Sequence, residues 1–284
     1  MNNLASNRHQ AITGDQLAML MNQLRMHAGI KIESPQFVIE SKIRERMLEL
    51  GTVDFCEYMA IFDQSINARA EWLALIDLLT VKETRFFRQP EAFQGLARYV
   101  EDLMANTSAP REFSFWSAGC STGQELYSIA MIVEKILTSK KPWFEWHGIG
   151  TDVSFQAVNQ AQNGLYPESA IETIPVQYRH PYVKKVNDDE WGISEDITAR
   201  THFINSNLMH VNTAPFSDLN VIFCQNVLIY FEHDMQHWII DQLVDRLQVG
   251  GLLVLGAGED VRWTNSKMRR AQWPGVSAYI KLEV

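Results

Sequence analysis

Apolar residues recur at helical spacing through the first eighty positions of the chain. Leu17, Leu20, Met21 and Leu24 fall three or four apart, and so do Ile39, Ile43, Met47 and Leu50, so each set forms one stripe along a helix. Thr13 and the Ser34-Pro35 pair supply starts, and Gly29 and Gly51 supply stops. The pattern predicts helices near 14–28, 35–50, 52–63 and 67–79, an all-α domain over residues 1–80.

The period then changes. Thr80-Val-Lys-Glu-Thr-Arg-Phe-Phe-Arg-Gln-Pro90 reads as a linker over 81–92, and Pro90 opens a helix with Phe93, Leu96, Ala97 and Val100 on one side. From Phe113 onward, short apolar runs alternate with helical stretches. Strands are predicted at 113–117, 146–152, 203–208, 219–224 and 252–256. Helices are predicted near 123–138, from Ser154 through Asn163, and from a cap at Asp234 through Leu247 until Gly250-Gly251 stops it. Val276, Ala278, Ile280 and Val284 suit a closing edge strand. Such alternation implies an α/β, doubly wound domain over 93–284. Residues 164–203 interrupt it. Tyr182-Val-Lys-Lys-Val, the polar Asn187-Asp-Asp189 turn, Trp191-Gly-Ile and Arg200-Thr-His-Phe-Ile204 suggest a small antiparallel β insert at about 165–203.

The stretch Phe113-Ser-Phe-Trp-Ser-Ala-Gly-Cys-Ser-Thr-Gly-Gln-Glu125 joins a buried strand to a helix through Gly119 and Gly123. Open α/β sheets bind nucleotides at such junctions, where glycine allows close approach and the helix start presents unpaired N–H groups. Its G-x-x-x-G spacing is not the dinucleotide fingerprint and fits S-adenosylmethionine enzymes better. Asp152, at the end of the second predicted strand, is placed to accept ribose hydroxyls, or else only helps to start the next helix. Lys82, Arg85 and Arg88 put three cations into seven residues around two aromatics, which suits recognition of a carboxylate. The strand from Leu219 runs into Gln225, Asn226 and an aromatic pair at its carboxyl end, where ligands are held. Lys42 and Arg46 share a helix face, either a solvated face or a docking surface for an acidic partner.

Composition narrows the function classes. The chain has 284 residues, 46% hydrophobic and 21% charged, as in soluble globular proteins. There is no membrane-spanning apolar run and no signal-peptide core in the first ten residues, which points to the cytoplasm. Three widely spaced cysteines argue against a disulfide framework or zinc site. A net charge of −9 disfavours general nucleic-acid binding. His233 and His237 have ligand spacing but no partner motif, and G-x-S-x-G is absent, so no metal and no hydrolase triad is expected.

Taken together, Glu83-Thr-Arg-Phe-Phe-Arg88, Trp116 to Glu125, Thr151-Asp152, Gly164-Leu-Tyr166, Asn207-Leu208 and Phe223-Cys-Gln-Asn-Val-Leu-Ile-Tyr-Phe231 resemble the CheR-type chemoreceptor glutamate methyltransferases of bacterial chemotaxis. The resemblance covers nearly the whole chain. It implies a Rossmann-like S-adenosylmethionine-dependent methyltransferase domain, methyl transfer to receptor glutamates and release of S-adenosylhomocysteine. By that resemblance Thr84 and Arg88 meet the methionine end of the cofactor, Glu125 lies beside Gly119 and Gly123, and Asp152 holds the ribose. Asn207 and Leu208 border the adenine, Gln225 and Asn226 flank the cofactor, and Tyr230 sits near the reacting methyl. Arg88 or Arg98, with Tyr230, would orient the reactants. Lys82 stands where the family usually has Asn, and Gln225 where it usually has Arg. The implied partner is the cytoplasmic helical domain of chemoreceptors, met by a monomer recruited to membrane receptor arrays. Lys42 and Arg46 would be the docking face, and the β insert binds a receptor C-terminal peptide in some members. A methyltransferase for another substrate and a non-catalytic receptor-binding module remain as alternatives.

Overall fold

The computed structural model describes residues 12–63, 67–105, 112–140 and 144–283. Two compact units meet in sequence between Val81 and Lys82. The first holds α1 (Gly14–Ala28), α2 (Gln36–Leu50), α3 (Phe55–Ala60) and α4 (Ala68–Leu79). Thr13 and Gln16 form a reciprocal capping box, with Gln16 N donating to Thr13 Oγ1 at 3.2 Å and Thr13 N to Gln16 Oε1 at 2.9 Å. The third helix starts later than its sequence pattern suggests, because Asp54 caps it by accepting from Glu57 N at 2.9 Å. The predicted stripes face inward: Leu17, Leu20, Leu24, Ile39, Ile43 and Met47 are buried, whereas Leu50 at the end of α2 is exposed.

This unit also buries an ion pair. Glu71 accepts from Arg46 Nη2 at 2.7 Å and Nε at 3.1 Å, and from the Tyr58 hydroxyl at 2.8 Å. Arg46 reaches Glu49 as well, at 3.0 Å, and Lys42 Nζ donates to Leu78 O at 2.7 Å. Both cations expected to dock an acidic partner are therefore committed inside their own unit. The spacing on α2 places them on one face but cannot show that α4 covers that face with an acid and a carbonyl.

The second unit opens with α5 (Pro90–Ala105) and continues through β1 (Glu112–Ala118), α6 (Gln124–Lys140), β2 (Glu145–Asp152) and α7 (Phe155–Asn163). Next come β3 (Leu165–Pro167), α8 (Glu168–Ile171), α9 (Val176–Tyr182), β4 (Val183–Lys185), β5 (Glu190–Ile193) and α10 (Glu195–Thr198). The chain then forms β6 (Thr201–Asn205), β7 (Leu219–Cys224), α11 (His233–Arg246), β8 (Leu247–Leu255), β9 (Met268–Arg270) and β10 (Ser277–Lys281). Seven strands make the main sheet in the order β6-β2-β1-β7-β8-β10-β9. The first five run parallel, and β10 and β9 add antiparallel at the far side. Strand order therefore reverses between β1 and β7, which opens a crevice at their carboxyl ends. Every residue of β7 is buried, as befits a central strand covered on both faces. Phe113, Phe115, Trp146, Val221, Phe223, Leu252 and Val254 of the sheet join Leu96, Leu126, Ile129 and Val133 of the helices in one core.

Several boundaries differ from the sequence reading. The insert is a three-stranded antiparallel sheet in the order β3-β5-β4, but it includes three short helices. Thr201–Asn205 is not part of it: β6 pairs parallel to β2, with Ile149 opposite His202. Alternating apolar residues specify a strand but not its partner. Gly250 and Gly251 lie within β8 near a register irregularity against β7, and α11 has already ended at Arg246. Glu232, not Asp234, occupies the N-cap of α11, so Asp234 sits inside the first turn. The closing strand β10 is not the edge, because β9 pairs outside it, and Val284 lies outside the described residues.

Candidate functional site

The site is built on the turn between β1 and α6. Gly119 has φ 85°, Ser121 φ 49° and Gly123 φ 95°, so three left-handed residues fold the chain tightly before the helix. Gly119 N and Cys120 N both donate to Thr151 O, at 2.8 and 2.9 Å. A Cβ on Gly119 would stand 2.3 Å from Val227 Cγ2, and one on Gly123 would stand 2.9 Å from Ala161 Cβ. Glycine is thus required twice over, for conformation and for space.

Asp152 closes the turn from the end of β2. Its Oδ2 accepts from Ser121 N at 2.8 Å and its Oδ1 from Ser154 N at 2.8 Å, so one carboxylate joins the turn to the start of α7. Ser154 caps α7 as its pattern predicts, accepting from Ala157 N at 3.1 Å. Asn205 at the end of β6 donates to Asp152 O at 3.0 Å and Val153 O at 2.9 Å, fixing the strand end from the other side.

Glu125 lies in the first turn of α6, where Ser117 Oγ donates to its Oε1 at 2.8 Å. Burial pushes its carboxyl up to about 8, opposed by that hydroxyl, reinforced by the charge of Glu259 and opposed by that of Arg88. Arg88 is exposed and donates from Nη1 to Glu83 O at 3.2 Å. The two aromatics before it pin residues 82–88 in place. Phe86 meets Tyr166 edge-on at 4.9 Å, Phe87 stacks on Tyr178 at 5.2 Å, and Phe87 N donates to Ser128 Oγ at 3.0 Å. Lys82 Nζ donates to Gln156 Oε1 on α7 at 2.9 Å, and its carbonyl accepts from Ser121 Oγ at 3.4 Å, which lays this segment along the glycine turn. Thr84, half-buried, lies between those two anchors in sequence.

At the carboxyl end of β7, the side chain of Gln225 donates to Gln89 Oε1 and to Leu255 O, the latter at 3.3 Å. Asn226 takes φ 59°, and Tyr230 ends a short 3-10 turn over Leu228–Tyr230, half-buried. Asn207 caps another such turn by accepting from Met209 N at 2.9 Å, with Leu208 buried behind it.

The structure thus gathers Lys82, Gly119, Gly123, Glu125 and Asp152 around one turn, and Val227 brings the loop of Asn226 and Tyr230 against it. Arg98 does not join them. It is exposed on α5, about 12 Å along the axis from Pro90. The adjacent Tyr99 hydroxyl donates to Asn220 O at 3.2 Å and Gly250 O at 3.0 Å, at the amino ends of β7 and β8. Arg98 therefore belongs to the opposite end of the sheet, and its sequence assignment as an orienting group is corrected. Sequence reasoning also missed Ser117, Gln89 and the full part of Glu259. For Glu259 a signal existed, an acid three residues after the glycine that ends an apolar strand. Among the described residues no group of three or more His, Cys, Asp and Glu is placed to hold a metal ion, and no helix is long and apolar enough to cross a membrane.

A mainly parallel sheet with this strand reversal, a glycine turn after the first strand and an acid after the second define a Rossmann-like fold, the class in which nucleotide cofactors bind at the strand ends. Residues 82–275 match the family described as CheR methyltransferase, SAM binding domain, and the chain belongs to that family. It is a methyltransferase that uses S-adenosylmethionine. It is 29% identical to the chemotaxis protein methyltransferase of Borreliella burgdorferi over 88% of this chain and 90% of that one. A relative of the same name from Klebsiella aerogenes is 30% identical over 78% of this chain and 75% of its own. A third, from Escherichia coli, is 27% identical over 82% and 80%.

Proposed function

We propose that this chain transfers the methyl group of S-adenosylmethionine to glutamate side chains of chemoreceptors, leaving S-adenosylhomocysteine and a glutamate methyl ester. The names of its relatives support the substrate class, and one observation carries the chemistry: charged groups suited to each end of the cofactor surround a single turn. Asp152 faces the turn where ribose hydroxyls can share its oxygens, since each carboxylate oxygen accepts more than one hydrogen bond. Arg88, with Thr84, takes the carboxylate of the methionine end, and Glu125 lies beside Gly119 and Gly123, where the amino group would favour the ionised form of a carboxyl that burial otherwise holds neutral. Lys82 fixes residues 82–88 to α7, so the segment 81–92 serves as a linker that also builds the site. Asn207 and Leu208 border the adenine, while Gln225 and Asn226 flank the cofactor from the strand end.

The bound cofactor supplies an electrophilic methyl on a sulfonium. A glutamate carboxylate, with an ordinary pKa of about 4.3, is already the nucleophile at neutral pH. The O–CH3 bond forms as the S–CH3 bond breaks, the opposite charges cancel, and no proton moves. The protein's task is alignment and exclusion of water, with Tyr230 assigned to the border of the reacting centre. Lys42 and Arg46, expected to meet an acidic receptor face, are engaged by Leu78 O and Glu71 within their own unit. The edge strands of the small insert offer a place for a receptor C-terminal peptide to add as a further strand, in a monomer recruited to receptor arrays. Transfer of labelled methyl to receptor-containing membranes, released by mild alkali as a carboxyl ester must be, tests the reading. No transfer, or alkali-stable label, overturns it.

A further inference from the structure

We propose that Glu259 is a positioning residue for methyl transfer, holding the loop from Asn226 to Tyr230 against the cofactor turn. Its carboxylate is buried and accepts four backbone N–H groups. Oε2 takes Gly256 N at 2.7 Å and Asn226 N at 3.0 Å, and Oε1 takes Val227 N at 2.8 Å and Ile229 N at 3.3 Å. Three of these donors belong to the loop after β7, and the fourth to the end of β8. One side chain thus ties two neighbouring strand ends together on the far side of the crevice from β1.

The loop needs such a tie. Asn226 sits at φ 59°, a conformation that costs energy for a residue with a side chain, and the next residues form only one short 3-10 turn. Backbone N–H groups turned away from regular pairing require an acceptor, and a charged one binds more strongly than a carbonyl. Burial pushes the Glu259 carboxyl up, and the four N–H groups act against that by favouring its charged form. Gly256 makes room for it: a Cβ there would stand 2.2 Å from Glu259 Oε2 and 2.8 Å from Asn226 N.

The consequence reaches the site through Val227. The residue whose N–H is held by Glu259 also fills the space over Gly119, where any Cβ would meet its methyl at 2.3 Å. The separation of loop and turn, and with it the place of Asn226 and Tyr230, is therefore set by Glu259. This rests on the role assigned to Tyr230 above, so the test has one readout that needs no receptor.

Glu259→Gln keeps the shape but points an NH2 group at two of the four donors. Amide exchange in the loop is expected to quicken by roughly tenfold or more where the NH2 replaces the acceptor, at Val227 and Ile229 if it stands for Oε1 or at Asn226 if it stands for Oε2. kcat for receptor methylation is expected to fall by roughly tenfold or more, with calorimetric affinity for S-adenosylhomocysteine within about threefold, the signature of misplaced rather than unbound reactants. Should Glu259→Gln not fold, Gly256→Ala displaces the same carboxylate and is read the same way. Unchanged exchange overturns the inference whether or not the parent methylates receptors. So does faster exchange with unchanged kcat, or a fall in cofactor affinity that matches the fall in kcat. An inactive parent with faster exchange in the variant supports the tie and overturns the receptor reading alone.

Discussion

Ser121 N donates to Asp152 Oδ2 at 2.8 Å, so the turn after β1 and the end of β2 form one hydrogen-bonded unit. The other oxygen of Asp152 holds Ser154 N, and removing either acceptor loosens the turn and the start of α7 together. Asp152→Asn places an NH2 against one of two N–H donors. Affinity for S-adenosylhomocysteine should fall by roughly tenfold to a hundredfold, since a lost charged acceptor is worth about 1.5–3 kcal/mol. Isothermal calorimetry checks this, and affinity within twofold of the parent would remove Asp152 from the cofactor site.

Arg88, in the linker, and Arg98, on α5 beyond it, separate by geometry although both were expected at the cofactor. Arg88 lies where its charge reaches Glu125, whereas Arg98 is exposed near the amino ends of the strands. Arg88→Ala should weaken cofactor binding by roughly tenfold or more, the cost of one bidentate carboxylate contact. Arg98→Ala should leave both cofactor affinity and methyl transfer within about twofold of the parent, as for an exposed residue away from the site. Steady-state kinetics and calorimetry on the pair decide it, and equal losses would contradict the placement.

Glu125 gives stability a pH dependence whose sign follows from its raised pKa. Folding favours the neutral form of this carboxyl, whose pKa burial lifts to about 8. Its contribution is fully present below the ordinary value of about 4.3 and is lost as pH rises through about 8. Glu125→Gln, always neutral, should remove that component. Urea denaturation of parent and variant from pH 5 to 8 should show the parent losing stability relative to Glu125→Gln as pH rises, and parallel profiles would refute the burial effect.

Arg46 and Glu71 make a structural pair. The Glu71 side chain is 4% exposed and that of Arg46 26%, so removing the guanidinium leaves a covered carboxylate that keeps the Tyr58 hydroxyl but no facing cation among the described ion pairs. Arg46→Met should destabilise the helical unit by about 3 kcal/mol, while Arg46→Met with Glu71→Leu should recover much of the loss. A denaturation series reads this out. A loss below about 0.5 kcal/mol would indicate a solvated pair.

The chain's own pattern determined the helical first unit, the alternation of strand and helix, the glycine turn, and the caps at Thr13 and Ser154. Each depends on residues within a few positions of one another, where spacing alone dictates which face is apolar and which N–H needs a partner. Tertiary structure alone decided what meets across the chain. It assigned Thr201–Asn205 to the main sheet, set Arg46 on Glu71, turned Arg98 to the wrong end of the strands and folded Glu259 under Asn226 and Val227. In these cases a side chain's role depends on partners 25 to 53 positions away, such as Glu71 for Arg46 and Ile149 for the strand position of His202, or Asn226 at 33 from Glu259. Local periodicity carries no record of such partners, because the same charge on the same helix face serves equally well in solvent or against a buried acid.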